Sequence, residues 1–190
     1  MAEEWPSPAY VIRTPRLVVR CYERGDVDGV HEAVRANVEA LRPWMPWIEN
    51  EPLSRADRAE QLRAFRGLFD AGRDFLYGIF DRADGRYLGG CGLHPRVGPG
   101  GLEIGYWIAE DRWGRGLASE AATALTRVGF DWMGAERMEI RVAPANARSL
   151  SIPRKLGYRE EGRLRGIGPT GPDGRQDLLV FGRLAAEGVP

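Results

Sequence analysis

The segment Leu102–Ala121, "LEIGYWIAEDRWGRGLASEA", changes its period halfway along. Leu102, Ile104, Tyr106 and Ile108 alternate with Glu103, Gly105 and Trp107, which is the period of a strand. From Leu117 the residues Leu117, Ala121, Leu125, Val128 and Trp132 recur at helical spacing, with Gly134 as a stop. Gly114, Arg115 and Gly116 lie between the two patterns, so the segment predicts a strand, a tight turn and a helix N-terminus. Unpaired N–H groups and the helix dipole at such an end favour an anion, and glycines let a phosphate approach the backbone closely.

Several readings compete for this turn. Gly114-x-Gly116-x-x-Ser119 resembles a dinucleotide fingerprint with acidic Glu136 about 20 residues on, but the third glycine is missing and too little chain follows. A nucleoside-triphosphate loop needs GxxxxGK[ST], which does not occur. The pyrophosphate of coenzyme A and an ordinary glycine-rich turn remain, and the surrounding sequence has to separate them.

Outward from this segment, "VIRTPRLVVRCY" reads as an opening strand with Pro15 near its start. "DVDGVHEAVRANVEAL" predicts a helix capped by Asp26, with Val27, Val30, Val34, Val38 and Leu41 as its apolar stripe. A Pro-punctuated loop, "RPWMPWIENEP", carries Trp44 and Trp47, and "SRADRAEQLRAFRGLFDAG" predicts a second helix. Its Asp57-to-Glu60 spacing suggests a capping-box variant, with Gly72 as the stop. "FLYGIFD" and "RYLGGCGLH" predict a hairpin turning at Asp84-Gly85. "RMEIRVA" is a strand with Met138, Ile140 and Val142 inward, and "NARSLSIPRKLG" a short helix from Asn146 to Gly157. Two closing strands, "YREEGRLR" and "DLLVFGRL", flank a Gly/Pro-rich loop expected to move.

The chain has 190 residues, 43% hydrophobic and 28% charged, which suits one soluble globular domain, placed at residues 9–185 between tails at 1–8 and 186–190. Net charge is zero, so nothing points to a nucleic-acid partner held by bulk charge. Cys21 and Cys91 have no metal-ligand spacing and are expected as free thiols in a reducing compartment. His31 and His94 cannot form a His-rich metal site, so no metal is expected. His94, at a strand end before Pro95, is expected to be a bystander. No signal-type run or apolar stretch of membrane-spanning length occurs, which predicts a cytoplasmic protein.

Five ordered segments carry a resemblance. "IRTPRLVVRCYERGD", "LRPWMPW", "EIGYWI", "WGRGLASEA" and "NARSLSIPRKLGY" follow in the order and spacing of the GCN5-related N-acetyltransferases (GNAT). They resemble most closely the Rim-type (RimJ/RimL-like) branch, which includes ribosomal-protein N-terminal acetyltransferases. The likeness runs from about Val11 to Leu184. It implies a single α/β (α+β) domain with a mixed, mostly antiparallel sheet and helices on both faces. That sheet should splay between "LEIGYWIAE" and "RMEIRVA". The resemblance also implies acetyl-CoA as co-substrate and an amine acceptor, either a protein N-terminus or a small molecule. A homodimer follows by analogy alone, and a non-catalytic acyl-CoA-binding module is the reading from a different class.

Carried onto this sequence, the resemblance puts the pyrophosphate on the turn formed by Trp113, Gly114, Arg115, Gly116, Leu117, Ala118 and Ser119. Trp113 stands where the family usually has Gln or Arg. The backbone near Ile108 and the side chain of Asn146 would orient the pantetheine arm, and Lys155 would reach a phosphate. Many relatives carry a tyrosine acid late in the short helix; the position here is Pro153, which moves the proton-donor role to Ser149. Pro153 also removes the N–H that would bond the Ser149 carbonyl. Glu103 is the candidate general base, with an ion pair to an arginine such as Arg141 as its structural alternative. Trp44, Trp47 and Tyr106 are candidates to line the acceptor site, although tryptophans in such a loop also cap cores.

Overall fold

The computed structural model describes residue 5, residues 8–171 and residues 174–189. Most of the expected N-terminal tail, residues 1–4, 6 and 7, lies outside that range, as do positions 172, 173 and 190. Strands β1 (Val11–Arg13) and β2 (Leu17–Cys21) open the chain, followed by α1 (Val27–Leu41) and α2 (Arg55–Asp70). Strands β3 (Phe75–Asp81), β4 (Tyr87–His94) and β5 (Gly101–Ile108) lead into α3 (Leu117–Arg127). Then come β6 (Arg137–Val142), α4 (Ala147–Lys155), β7 (Arg159–Leu164), β8 (Thr170–Gly171), β9 (Gly174–Arg175) and β10 (Leu178–Leu184).

Eight strands form one sheet in the order β1-β2-β3-β4-β5-β6-β10-β7, and β8 and β9 form a separate small hairpin. Neighbours in the large sheet are antiparallel except β5 and β6, which run parallel because α3 carries the chain across between them. That parallel pair has only three rungs, Gly101–Arg137, Leu102–Met138 and Glu103–Glu139. Beyond Glu103 the strands part, and the sheet splays between the two strands where the resemblance implied an opening.

One core joins Leu102, Ile104 and Ile108 of β5 to Leu117, Ala121, Ala122 and Leu125 of α3 and Ile152 of α4. A second packs Val27, Val30, Val34 and Leu41 of α1 and Leu62 of α2 against Phe80 and Tyr87. Met138, Ile140 and Val142 are buried as their alternation required.

Four local expectations change. The opening strand is a hairpin, because Pro15 sits in the turn between β1 and β2, with Val11 opposite Arg20. Asp26 does not cap α1. It has helical backbone angles at the end of a short 3₁₀ turn, and its carboxylate accepts from the Glu23 N–H at 2.7 Å and from Arg20. The cap of α2 is Ser54, whose Oγ accepts the Asp57 N–H at 3.1 Å, three residues before the box the spacing suggested. Trp132 leaves the stripe of α3 because Val128–Trp132 is a π-helical turn. Its extra residue rotates the indole outward to 62% exposure. Among the described residues, no helix is long and apolar enough to cross a membrane, and both cysteines are free and buried.

Candidate active site

The β5-to-α3 turn is held from three directions. Gly114 and Gly116 have φ of +75° and +74°, a left-handed conformation that side chains resist. The first bond of the helix runs from the Glu120 N–H to the Gly116 carbonyl at 3.0 Å, so the N–H groups of Leu117, Ala118 and Ser119 precede the ladder. Arg16, from the β1–β2 turn, donates Nη1 to the Arg115 carbonyl at 2.8 Å and Nε to Glu120 at 2.6 Å. Glu120 also accepts the Thr14 hydroxyl and the Arg16 N–H. Burial pushes the Glu120 carboxyl up, but these bonds outweigh it and hold the group below its ordinary value. From α1, the buried Asn37 accepts the Glu110 N–H at 2.7 Å. Nothing in the local sequence marks Arg16, Glu120 or Asn37, because each reaches the turn from a distant segment or from the far side of the helix.

Trp113 donates its indole N–H to the Ile108 carbonyl at 2.7 Å, and the Arg148 guanidinium lies 4.2 Å over its ring. In the backbone near Ile108 expected to orient a pantetheine arm, the Ile108 carbonyl therefore already accepts one bond within the chain. Arg115 is exposed and reaches back to the Asp111 carbonyl at 3.4 Å. Lys155 is exposed at the end of α4.

Across the fork, Asn146 caps α4 by accepting the Ser149 N–H at 3.1 Å. The Ser149 hydroxyl is 3.1 Å from the Tyr106 hydroxyl, and Tyr106 also lies 3.4 Å from the carbonyl that Pro153 leaves without its helical partner. Burial pushes the Tyr106 phenol up to about 12, with the Ser149 bond pulling the other way. Tyr106, Ser149 and Asn146 thus converge on one point, a phenol behind a serine hydroxyl at the mouth of the splay.

A cavity of about 500 Å³ opens beside the fork on the α1 and α2 side. Trp44, Trp47 and Tyr106 line it, as does Trp107 of β5, which packs 5.9 Å from Trp47. The floor is bare sheet at Gly90, Gly92 and Gly105. A Cβ at Gly90 would stand 2.9 Å from both Trp107 Nε1 and the Tyr22 hydroxyl, and one at Gly92 would stand 2.6 Å from His94 Nε2. Ile167, Gly168, Pro169 and Leu178 complete the lining. The loop expected to move is tied down in its described part by Gln176, which donates Nε2 to the Pro43 carbonyl at 2.6 Å and shares two backbone bonds with Gly168 and Pro169.

At the apex, Glu103 is 7% exposed and receives a two-pronged bond from Arg96, at 2.9 and 2.6 Å. Arg141 is 3.5 Å away and bonds Glu139 at 2.6 Å, and Arg137 joins Glu139 to Glu161. Glu103 thus lies on the face of Gly105 and Trp107, as its alternation required, with both oxygens engaged by guanidinium. One strand over, His94 Nδ1 is 2.5 Å from Asp74. The Asp74–His94 pair was invisible in the sequence, because it depends on which residue flanks β3 when β4 pairs with it.

Residues 16–159 match the acetyltransferase (GNAT) domain. The chain is 29% identical over 179 residues to YdaF of Bacillus subtilis (strain 168), provisionally named a ribosomal N-acetyltransferase, covering 90% of this chain and 92% of that one. It is 27% identical over 158 residues to the ribosomal protein uS5-alanine N-acetyltransferase of Escherichia coli (strain K12), covering 82% and 81%. Among solved structures, Mycobacterium smegmatis RimJ in complex with CoA-disulfide is similar with a TM-score of 0.78 and 25% identity, covering 93% of this chain and 87% of that one.

Proposed function

The chain belongs to the GNAT acetyltransferase family and is an N-acetyltransferase, and on that premise we propose that it moves the acetyl group of acetyl-CoA to the N-terminal α-amine of a protein. The observation that carries the reading is the three-rung fork, with the turn of left-handed glycines on one side and the glycine-floored cavity on the other. The ribosomal-protein names of the relatives support a ribosomal acceptor and, with it, a cytoplasmic site of action.

The chain's groups suit the donor. The turn from Trp113 to Ser119 offers N–H groups and a helix N-terminus to the pyrophosphate, and the exposed Arg115 adds positive charge at its rim. Asn146 is assigned to the pantetheine arm while capping α4, and the solvent-facing Lys155 at the end of α4 is assigned to a phosphate. Beyond Glu103 the free edge of β5 offers backbone donors to the thioester oxygen as negative charge develops there. The departing thiolate, with a thiol pKa near ~8.5, takes a proton through Ser149, backed by the Tyr106 phenol.

The acceptor enters from the cavity, its first side chain against the packed rings of Trp47 and Trp107 and its chain leaving past Trp44. An α-amine, with a pKa near ~8, reaches neutral solution mostly as the cation and must lose a proton before it attacks. Glu103 supplies negative charge at the apex, offset by Arg96 and Arg141. The aromatic lining of the cavity favours a second reading, a small-molecule amine as acceptor.

The test is free-thiol release from acetyl-CoA with N-terminal peptides and small amines offered in parallel. Release with peptides supports the proposal, and release with small amines alone replaces the acceptor. Coenzyme binding without release on any amine would make the chain a binding module.

A further inference from the structure

We propose that His94, oriented by Asp74, takes the proton that the acceptor ammonium must lose, an assignment that rests on the acetyl transfer proposed above. Three placements carry it. His94 ends β4 directly opposite Glu103, which forms the last rung of the fork with Glu139. Its ring lies over two glycines, since a Cβ would stand 2.6 Å from Nε2 at Gly92 and 3.3 Å from it at Gly105. Gly105 is two residues past the last rung, so Nε2 lies above the open part of β5, on the cavity side.

The tautomer follows from the partner. Asp74 immediately precedes β3, whose first residue Phe75 pairs with Leu93, and this sets its carboxylate 2.5 Å from His94 Nδ1. A carboxylate accepts, so Nδ1 carries a hydrogen, and in the neutral imidazole the lone pair is on Nε2. Among the described residues, Nε2 has no hydrogen-bond partner, and it faces a cavity that His94 and Asp74 both line. Glu103 differs in this respect, because it must give up a charge-assisted bond to Arg96 before either oxygen can accept a proton.

The other charged groups around the cavity are matched. Arg96 meets Glu103 between β4 and β5, Arg141 meets Glu139 on β6, and Arg58 of α2 meets Glu51. Asp74 is the carboxylate whose partner is the imidazole itself. The step balances as follows. Nε2 takes one proton from the ammonium, and the neutral amine attacks the thioester carbon. The C–N bond forms and the C–S bond breaks. The second nitrogen-bound proton leaves with the thiolate as free thiol, and the imidazolium returns its proton to solvent.

The experiment compares wild type, His94→Gln and Asp74→Asn by thiol release with a peptide α-amine, from about pH 6 to about pH 10. Calorimetric acetyl-CoA affinity, expected to be unchanged, reports that the variants fold. His94→Gln is expected to lower kcat about 100-fold or more near neutrality, and Asp74→Asn about 10-fold, with KM for the coenzyme unmoved. The defect should shrink at alkaline pH, where the amine arrives neutral, which a packing role would not produce. Wild-type turnover with a His94→Gln defect that is absent, or the same at every pH, overturns the assignment alone. Wild type that binds coenzyme and releases no thiol with any amine overturns the acetyl-transfer reading as well.

Discussion

The two sides of the fork are built from different materials. On the side proposed for the coenzyme the surface is backbone, with left-handed glycines, the first N–H groups of α3 and the unpaired edge of β5. Side chains such as Arg16, Glu120 and Asn37 brace that backbone from behind. On the acceptor side the backbone is only a floor, and the surface consists of side chains brought from the loop after α1, from β4 and β5, and from the segment before β10. A backbone site tolerates many side chains and few conformations, whereas a side-chain site does the reverse.

The sharpest way to break this contrast is Gly116→Val. A β-branched residue is strained at φ +74°, while the nearest atom to its Cβ is Arg16 Nη2 at 3.6 Å, so the damage is conformational rather than steric. Calorimetry should show acetyl-CoA affinity falling about 100-fold or more, equivalent to about 2.7 kcal/mol, while the melting transition persists. Retained affinity would remove the turn from the coenzyme site. Next in size is Glu103→Gln on the other side, which leaves Arg96 and Arg141 facing an incoming cation without their carboxylate. KM for the amine should rise about 10-fold with coenzyme affinity unmoved. A fall in kcat confined to low pH would instead return the proton-accepting role to Glu103.

Smaller effects sharpen the comparison. Ser149→Ala should slow turnover about 3-fold to 10-fold, and Tyr106→Phe should do the same without adding to it if the two hydroxyls form one relay. Strict additivity of the two defects would separate them. The gentlest test is alkaline stability. Burial raises the phenols of Tyr22, Tyr77, Tyr87, Tyr106 and Tyr158 above the ordinary value near ~10. The unfolded chain therefore sheds these protons first. The buried thiols of Cys21 and Cys91 are raised in the same way from a value near ~9, so unfolding free energy should fall from about pH 9 upward and continue to fall through the Tyr106 value of about 12. Urea midpoints that stay level between about pH 10 and 11 would contradict the burial of these rings.

The same contrast explains what the sequence made legible. The strand-turn-helix around Gly116 and the cap at Asn146 depend on local periods and on residues a few positions apart, whereas the splay of β5 from β6 was legible through the family resemblance alone. The caps read at Asp26 and Asp57 differ from the observed ones because a cap is decided by where a helix starts, which periodicity fixes only loosely. Asp74 beside His94, Arg96 around Glu103 and Gln176 under Pro43 have no local signature. Each exists only through strand register or loop closure across as many as 133 positions. Tyr106 was recognised as a lining residue, but its hydroxyl contact with Ser149 was not, since that pair spans 43 positions and opposite arms of the fork.

The three-rung pairing of β5 with β6 also acts as a gauge. A strand advances about 3.3 Å per residue, so the depth of the slot changes only in steps of that size as rungs are gained or lost. The Glu103–Glu139 rung closes its inner end, and the guanidinium-bound carboxylates there make that end polar. The number of residues that the two strands pair therefore sets how deep the slot runs, and charge rather than apolar packing closes its inner end.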